Sequence, residues 1–366
     1  MKKILILTNN LNGGGAEKVL LTLLNNLSPQ DYEITLTLVY KTGVYLHSIP
    51  SHVKINYIFE DNIDASEHIL NDSDAIYENF LQNDCDIEIA FLEGNATKIL
   101  SKSTNEKSLK IAWVHIDLFS EHYTQKIYSS NQDELETYYV FDKIAFVSSA
   151  ALSGFELLFG DSLHDRSVIV YNPINTNEIK QKSNEKPEIK KEKTTICTVG
   201  RLAPQKGYRD LICAASHLIK EGFDFNLWIL GEGKLEKELQ DLCVELDLSN
   251  HIVFWGFQNN PYKYIKASDA FVCSSRAEGL SLVIGEALFL RKPIISTRCS
   301  GPNEVLSKGN WGLLVDTSEN GIYEGLKTFL NQPNSVPVLS SESIAIYNEF
   351  YGLDSYIQRI KKLLNG

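Results

Sequence analysis

Two series of short apolar runs, each alternating with helix-like stretches, constrain the fold of this chain more than any other feature of its sequence. Such alternation is typical of α/β proteins with a mostly parallel sheet. The first series comprises residues 3–8, 33–40, 54–59, 87–92, 109–115, 143–148 and 167–171. The second series comprises residues 194–200, 225–230, 251–255, 269–273, 293–297 and 312–315. Ligands of such sheets bind beyond the carboxyl ends of the strands, so the loops after these runs are the candidate binding regions.

The pattern breaks near Tyr171-Asn172-Pro173, which divides the chain into two parts. Residues 175–193 are charged and poor in large apolar side chains, and we predict that they connect two domains. A chain of 366 residues with 43% apolar residues exceeds the comfortable size of one core, which also favours two domains. Residues 340–364 form a further helix-like stretch at the C-terminus.

Two carboxylates, Glu278 and Glu286, lie eight residues apart across the predicted entry to a helix. An apolar strand at 270–273 precedes them, and residues 280–290 are apolar and helix-favouring. The free main-chain N–H groups of Gly279, Leu280 and Ser281 would point away from the helix, where they suit a phosphate. A capping acid followed by an ordinary helix glutamate is the alternative interpretation.

Two cations lie on another predicted strand-to-helix loop. Arg201 and Lys206 follow the run 195–199, and a glycine flanks each end of this basic stretch. Arginine offers a planar fork and lysine a compact charge, so together they can hold one diphosphate. Two solvated surface cations are the alternative, which the flanking glycines disfavour because they permit close approach of the main chain.

A third glycine-containing loop follows the first strand. Gly13, Gly14 and Gly15 close it and open a predicted helix, which would let a ligand touch the main chain. The dinucleotide-binding motif is absent because Lys18 stands where its third glycine belongs. Residues 231–235 are not a P-loop either, since the upstream glycine and the hydroxyl residue after the lysine are missing.

His115 ends the apolar strand 109–114 at the edge where a ligand would lie, and Asp117 follows two residues later. A lone histidine is as often structural as functional. Asp84 and Asp86 have the spacing of a metal-binding acid pair, yet they precede a strand. We therefore expect them to be solvated turn acids rather than metal ligands.

Charge and cysteine content exclude several classes of function. Residues 1–173 hold 12 basic and 24 acidic residues, whereas the remainder holds 23 of each, so nucleic acid is not an expected partner. The six cysteines show no paired spacing, which predicts reduced core residues rather than a zinc site. The sequence shows no signal peptide and no apolar run long enough to span a membrane. We expect a cytoplasmic protein whose contact with a membrane is at most peripheral.

Taken together, these residues resemble the family-four group of retaining glycosyltransferases, which have the two-domain GT-B fold. The motifs occur in the order typical of that family: a glycine loop, a histidine, Gly-Arg-Leu…Lys-Gly, Leu-Gly-Glu-Gly and the acid pair. The resemblance implies two Rossmann-like domains with parallel sheets facing across a cleft. Residues 1–173 would form the acceptor-side domain, 174–345 the nucleotide-sugar donor domain, and 346–366 a helix that crosses back to the first domain.

The same resemblance implies a role for each candidate residue. Arg201 and Lys206 would bind the donor diphosphate, and Glu278 would contact the donor sugar. Glu286 would hold the ribose, and His115 matches the active-site histidine. The remaining implied donor contacts come mainly from main-chain groups: Gly14, Gly15, Gly256, Phe257, Gly279, Leu280 and Ser281. Asp117 would orient His115 or bind the acceptor.

The implied reaction moves a hexose-type sugar from a nucleotide diphosphate donor, UDP being expected, to a hydroxyl on a glycan or lipid-linked acceptor. Cell-surface polysaccharide or glycan assembly is the expected setting. We expect no metal and no cofactor, since the nucleotide sugar is a substrate. The family's Gly-Gly-x-x-Glu stands here as Ser300-Gly301-Pro302-Asn303-Glu304, which leaves the identity of the donor sugar open.

Two alternatives remain open at the level of the sequence. A nucleotide-sugar epimerase of the same architecture would need no acceptor, and a non-catalytic nucleotide-sugar-binding subunit of an assembly enzyme would show no turnover. The loops expected to choose the acceptor, residues 92–95 and 116–128, carry no transferable code.

Overall fold

A computed structural model describes residues 1–60, 66–81, 84–188 and 191–365. The chain forms two compact units. Unit 1 comprises Met1–Pro173 together with Asp354–Gly366, and unit 2 comprises Ile174–Leu353. The division between Pro173 and Ile174 falls where the sequence pattern breaks.

Among the described residues, unit 1 holds a seven-stranded sheet in the order β3-β2-β1-β4-β5-β6-β7, and every pair is parallel. Its strands are β1 (Lys2–Thr8), β2 (Tyr32–Tyr40), β3 (Lys54–Phe59), β4 (Ile87–Ala90), β5 (Leu109–Val114), β6 (Lys143–Phe146) and β7 (Ser167–Ile169). Its helices are α1 (Gly15–Asn26), α2 (Ser66–Phe80), α3 (Asn95–Leu100), α4 (Asn131–Tyr138) and α5 (Ser149–Phe159). Residues 4–7 of β1 are buried on both faces of the sheet, which explains why the run is continuously apolar rather than alternating.

Unit 2 repeats this design with a six-stranded parallel sheet in the described part of the chain, ordered β10-β9-β8-β11-β12-β13. Its strands are β8 (Thr194–Val199), β9 (Phe225–Leu230), β10 (Ile252–Phe254), β11 (Ala270–Cys273), β12 (Ile294–Thr297) and β13 (Leu313–Val315). Its helices begin with α6 (Thr176–Lys182), α7 (Tyr208–Lys220), α8 (Glu236–Glu245), α9 (Tyr262–Ala267) and α10 (Leu282–Phe289). They continue with α11 (Ser300–Gly309), α12 (Glu319–Asn331) and α13 (Ile344–Tyr351). In each sheet the order reverses beside a central strand, between β1 and β4 and between β8 and β11.

The structure adds detail to two predicted segments. The helix-like stretch 340–364 contains two helices, α13 and α14 (Leu353–Asn365), because Gly352 between them is extended. Only residues from 354 onwards group with unit 1, not those from 346. The predicted connection 175–193 is also ordered in its first part, since it contains α6, whose Ile179 is fully buried. Residues 189 and 190 of that segment lie outside the described residues.

The six cysteines are free, and five of them are buried, in agreement with the prediction of reduced core residues. None of the helices in the described residues combines the length and the apolar character that crossing a membrane requires.

Candidate functional site

The strongest candidate site lies in unit 2, where the strand order reverses between β8 and β11. Connections from these two neighbouring strands leave in opposite directions, which opens a crevice at their carboxyl ends. The loop after β8 carries Arg201 and Lys206, and the loop after β11 carries Glu278. Two motifs that are 72 residues apart in the sequence therefore meet at one edge of the sheet.

Lys206 and Glu278 form an ion pair in this crevice, with 2.6 Å between Nζ and Oε1. Their side chains are only 19% and 11% exposed, so the pair is largely withdrawn from water. The Ser275 hydroxyl donates a second hydrogen bond to the same Glu278 oxygen, at 2.7 Å. Burial lowers the pKa of Lys206, but the adjacent Glu278 carboxylate outweighs it and the net pKa is raised. The lysine is therefore charged and available to an anionic ligand.

Main-chain contacts hold the two loops together. The Ser274 hydroxyl donates to the carbonyl oxygen of Lys206 at 2.8 Å, and the N–H of Arg276 donates to the carbonyl of Gln205 at 2.7 Å. Gly207 has φ +65°, and a Cβ atom there would collide with the carbonyl oxygen of Ser274. The glycine after the lysine is thus required by the approach of the second loop.

Arg201 is exposed on the same loop as Lys206. Its positive charge acts on Lys206 and opposes the pKa-raising effect of Glu278, which shows that the two cations share one electrostatic environment. The main chain beside it is fixed, because the N–H of Leu202 donates to the carbonyl of Glu232 at 2.8 Å. In the described part of the chain the guanidinium forms no ion pair, so it can meet a ligand without giving up a partner.

The helix that follows Glu278 starts later than the sequence suggests, at Leu282 rather than at residue 280, with Ser281 as its N-cap. The Ser281 hydroxyl oxygen is buried and makes no hydrogen bond within the described residues, although serine at this position ordinarily caps the helix. Leu280 is buried, and Gly279 packs against Gly301 so closely that a Cβ on Gly301 would strike the Gly279 carbonyl oxygen. The variant motif 300–304 therefore adjoins the predicted phosphate-binding turn.

Glu286 lies one helical turn inside α10 and is 3% exposed. The Tyr262 hydroxyl donates to its Oε1 at 3.4 Å. The predicted base-contacting residues lie after β10: the carbonyl of Gly256 accepts from Gly231 N–H at 2.8 Å, and the N–H of Phe257 donates to Glu232 Oε1 at 3.1 Å. The sequence analysis gave Glu232 no role. In the structure its carboxylate accepts the Phe257 N–H, which is the group predicted to contact the base.

In unit 1 the glycine loop leads directly into α1. Gly14 is the N-cap of that helix with an extended backbone, and Gly15 is its first residue. Gly14 has no side chain to offer as a cap, and the carboxylate of Glu17 in the first turn lies against it, where a Cβ atom on Gly14 would strike Glu17 Oε2. An anionic ligand at this helix start would have to displace the Glu17 carboxylate, so contact between a donor and Gly14 or Gly15 stays a prediction.

His115 lies at the carboxyl end of β5, against the rings of Phe91 and Trp113, with ring centroids 4.9 Å and 5.9 Å away. Both ring nitrogens are buried, and within the described residues neither has a hydrogen-bond partner. Burial lowers the pKa of His115 to about 3, so the imidazole is neutral near pH 7. A neutral imidazole keeps one donor and one acceptor for ligand hydroxyls.

Asp117 folds back on its own turn. Its Oδ1 accepts the N–H groups of Phe119 and Ser120 at 3.0 Å and 3.2 Å, and its Oδ2 accepts the Ser120 hydroxyl at 2.6 Å. The structure therefore gives Asp117 a turn-capping role, and its contact with an acceptor stays a prediction.

Asp84 and Asp86 lie at the opposite end of the unit 1 sheet. Asp84 pairs with the ammonium group of Lys3, and Asp86 accepts the main-chain N–H of Lys3 at 2.7 Å. Both acids precede β4, whereas His115 and the glycine loop follow their strands. The described residues contain no group of three or more potential metal ligands.

The architecture matches that of solved glycosyltransferases of the GT-B class. HepE of Anabaena, in complex with UDP and glucose, superposes with a TM-score of 0.77 at 18% identity over 100% of both chains. A variant of S. aureus TarM, in complex with fondaparinux, alpha-GlcNAc-glycerol and UDP, gives 0.74 at 11% identity, again over 100% of both. At these identities the likeness establishes the fold, and the predicted α/β architecture with two Rossmann-like units is confirmed.

Sequence comparison identifies the family of unit 2. Residues 179–343 match the family model described as glycosyl transferases group 1. The match lies within unit 2, and the resemblance predicted from the sequence is confirmed over that part of the chain.

The similar relatives are glycosyltransferases. An uncharacterized glycosyltransferase of Methanocaldococcus jannaschii is 39% identical over 151 residues, 40% of this chain and 37% of the relative. The N-acetylgalactosamine-N,N'-diacetylbacillosaminyl-diphospho-undecaprenol 4-alpha-N-acetylgalactosaminyltransferase of Campylobacter jejuni is 39% identical over 164 residues, 44% of each chain. A lipopolysaccharide core biosynthesis glycosyltransferase of Rhizobium meliloti is 33% identical over 139 residues, 38% of this chain and 39% of the relative. The chain spans at most about half the length of the curated relatives it matches.

Proposed function

We propose that this chain is a retaining glycosyltransferase that moves a hexose-type sugar from a nucleotide diphosphate donor, UDP-sugar, to a hydroxyl acceptor. The family of unit 2 supports the class of reaction. The names of two relatives, one acting on a diphospho-undecaprenol-linked glycan and one in lipopolysaccharide core biosynthesis, support a role in cell-surface polysaccharide or glycan assembly. The UDP bound to HepE supports the choice of nucleotide.

The observation that carries the proposal is the ion pair between Lys206 and Glu278 where the sheet order reverses. A cation and an anion in contact suit a ligand that carries both a diphosphate and neutral sugar hydroxyls. The diphosphate would draw the Lys206 ammonium towards itself, and the freed Glu278 carboxylate would then accept hydrogen bonds from the sugar. A simple phosphate site would have no use for the carboxylate.

In the proposed reaction the bond between the anomeric carbon and the diphosphate oxygen breaks, and the acceptor oxygen bonds to the same face of that carbon. The acceptor proton passes to the departing diphosphate. Arg201, Lys206 and the N–H groups of residues 279–281 stabilise the negative charge that develops on the leaving group. Glu278 orients the sugar ring, and Glu286 accepts hydrogen bonds from the ribose.

The other candidate residues complete the proposed site. The main chain of Gly256 and Phe257 meets the base once Glu232 has released the Phe257 N–H. Gly14 and Gly15 approach the phosphates, and His115 offers its neutral ring to the hydroxyls near the anomeric carbon. The protein neutralises the diphosphate without a metal in this proposal. We place the reaction in the cytoplasm, with at most peripheral contact between the protein and a membrane.

A panel of nucleotides tests donor binding. UDP and UDP-sugars bound to the native state should raise the thermal unfolding midpoint, and ADP and GDP should raise it less. Transfer is then measured with radiolabelled UDP-glucose, UDP-galactose and their N-acetylated analogues as donors and a panel of octyl hexosides as acceptors. Formation of a labelled octyl disaccharide supports the proposal. No midpoint shift with any nucleotide contradicts it.

Product analysis separates the two alternatives. An epimerase converts the donor when no acceptor is present, so its product is a second nucleotide sugar. A non-catalytic binding subunit shows the midpoint shift with no change in either substrate.

A further inference from the structure

A segment of unit 1, residues 115–130, joins β5 to α4 and is held by two buried carboxylates. Glu93, in the loop after β4, is 2% exposed, and Glu134, in α4, is fully buried. Neither acid belongs to the motifs that define the donor site. Each of them hydrogen-bonds to residues of the segment, and the two acids have different partners there.

Glu93 links two parts of this segment. Its Oε2 accepts the main-chain N–H of His115 at 2.8 Å, and its Oε1 accepts the Tyr123 hydroxyl at 2.7 Å. One rigid carboxylate therefore fixes the start of the segment relative to a side chain eight residues further on.

The corner next to Glu93 is shaped to receive the segment. Gly94 has φ +87°, and a Cβ atom there would lie 3.0 Å from Ile127 Cδ1 and 3.3 Å from Thr124 Cγ2. The Tyr128 hydroxyl donates to the carbonyl oxygen of Gly94 at 3.2 Å. The segment thus packs on this corner at several points, which favours one fixed conformation over an open loop.

The buried position of Glu93 is unfavourable for stability. Burial raises the pKa of its carboxyl group, while the hydrogen bonds from His115 and Tyr123 act in the opposite direction. In the described part of the chain no cation forms an ion pair with it. A buried acid without a cation costs stability, so its place at the carboxyl ends of β4 and β5 calls for a role other than stability.

We propose that Glu93 is a positioning residue for the transfer reaction, fixing the main chain of His115 and the hydroxyl of Tyr123 so that the surface facing the acceptor is preformed. The inference rests on the proposed function. Glu93 follows β4, which borders the point where the unit 1 sheet reverses its order, and His115 follows the neighbouring strand β5. The acid acts through the groups it holds and does not itself touch the sugar.

Glu134 provides a matched control within the same segment. Its Oε2 lies 2.7 Å from His122 Nε2, and its Oε1 accepts the Thr124 hydroxyl at 2.7 Å. Both acids are buried and both hold residues of 115–130, yet only Glu93 contacts His115. A purely structural role would make the two substitutions equivalent.

The test compares Glu93→Gln and Glu134→Gln with the wild-type chain. A glutamine offers one neutral acceptor oxygen in place of two carboxylate oxygens, so in each variant only one of the two donors can keep an oxygen acceptor, and the other must turn to meet the amide NH2. We expect Glu93→Gln to lower kcat for transfer from UDP-glucose to the octyl hexoside acceptor by roughly ten- to a hundredfold. The Kd for UDP should stay within about twofold of the wild-type value, because Glu93 holds His115 and Tyr123 and none of the proposed donor-binding residues. Glu134→Gln should lower kcat several-fold less at an equal or larger loss of thermal stability.

Nuclear magnetic resonance gives a readout that does not depend on turnover. The chain has eight histidines, so selective histidine labelling gives eight main-chain amide signals, of which the one lost in His115→Gln identifies His115. That signal should move upfield in Glu93→Gln, where the charged acceptor is gone, and stay in place in Glu134→Gln. Tyr123→Phe removes the other donor without altering the buried charge and should reproduce part of the kcat loss.

The outcomes distinguish a failure of the proposed function from a failure of the role proposed for Glu93. A wild-type chain that transfers no sugar overturns the proposed function and this inference with it. A wild-type chain that transfers sugar, while Glu93→Gln does so equally fast or loses no more kcat than Glu134→Gln, overturns the inference alone. An unmoved His115 amide in Glu93→Gln also overturns it.

Discussion

The two units share a parallel α/β design, but their candidate residues differ in electrostatic character. In unit 2 the site holds opposite charges in contact, Lys206 against Glu278, with exposed Arg201 nearby. In unit 1 the corresponding edge holds a neutral histidine and a buried acid that is bound only to neutral donors. One edge is suited to a multiply charged ligand and the other to neutral hydroxyl groups.

This difference explains which of the candidate residues are readable from a sequence. All nucleotide diphosphate sugars carry the same diphosphate, so the charged groups proposed to bind it are expected to recur with the same spacing, and the family match covers residues 179–343 only. Acceptors vary in shape and present hydroxyls, which many arrangements of neutral groups can bind. Substitutions in each unit test whether the charged ligand groups are bound by unit 2 and the neutral hydroxyls by unit 1.

The largest effect is expected from Lys206→Ala. Loss of the ammonium removes charge stabilisation of the departing diphosphate, so turnover should fall by about a hundredfold or more. Arg201→Ala should act in the same direction. The measurement is the initial rate of UDP release in the transfer assay, with circular dichroism to confirm that the fold is retained.

Lys237→Ala is the control for that substitution. Lys237 pairs with Asp241 on the surface of α8, where its side chain is 86% exposed. Its removal should leave turnover unchanged, since exposed pairs contribute little. Wild-type rates in both Lys206→Ala and Arg201→Ala would show that the cations of unit 2 do not contribute to turnover.

Much of the fold follows from the sequence because a central parallel strand must be apolar on both faces, and the thirteen predicted runs are the thirteen strands of the described residues. Lys206 and Glu278 could be placed together because both follow strands. Glu93 also follows a strand, and an acid at that position was a usable signal. Its contact with His115 depends on the pairing of β4 with β5, which the sequence does not reveal.

The C-terminal stretch shows where the pattern was insufficient. The helix-like stretch 340–364 was predicted without a position for the break at Gly352, where α13 ends and α14 follows. The glycine was the signal that could have placed this break.

The next effect concerns the main chain of the charged site. Gly207→Ala should lower the free energy of unfolding by about 2 kcal/mol more than Gly222→Ala does. Both glycines have positive φ, so both substitutions strain the backbone, but only Gly207 also faces a carbonyl oxygen, that of Ser274. Urea denaturation of both variants measures the difference. Equal losses would show that the two loops of unit 2 do not need this close approach.

The edge of unit 1 that holds His115 predicts a smaller, pH-dependent effect. The pKa of His115 is lowered to about 3 in the folded chain, against 6.5 for the ordinary side chain. Between pH 6.5 and pH 3 the His115 ring is therefore protonated in the unfolded state but not in the folded state. The free energy of unfolding falls as the pH drops through this range. At pH 5 the cost is about 2 kcal/mol.

His115→Gln removes that titration. The difference in unfolding free energy between pH 7 and pH 5 should therefore be smaller in the variant than in the wild-type chain. The nearby carboxyl of Glu93, whose pKa is raised, contributes with the opposite sign in both proteins and largely cancels in the comparison. An identical pH dependence would show that the ring of His115 is accessible to protons, and the contrast between the units would weaken.

The smallest expected effect is that of chelation. If the cations and helix amides of unit 2 neutralise the diphosphate, EDTA should leave turnover unchanged, as should Asp84→Asn combined with Asp86→Asn. Both acids are engaged by Lys3 at the edge of the unit 1 sheet that faces away from His115. Turnover lost in EDTA and restored by Mn²⁺ or Mg²⁺ would show that the diphosphate charge is met by a metal. If the double substitution also abolished that restoration, Asp84 and Asp86 of unit 1 would be the residues that bind the metal. Neutralisation of the diphosphate would then depend on unit 1 and not on unit 2 alone.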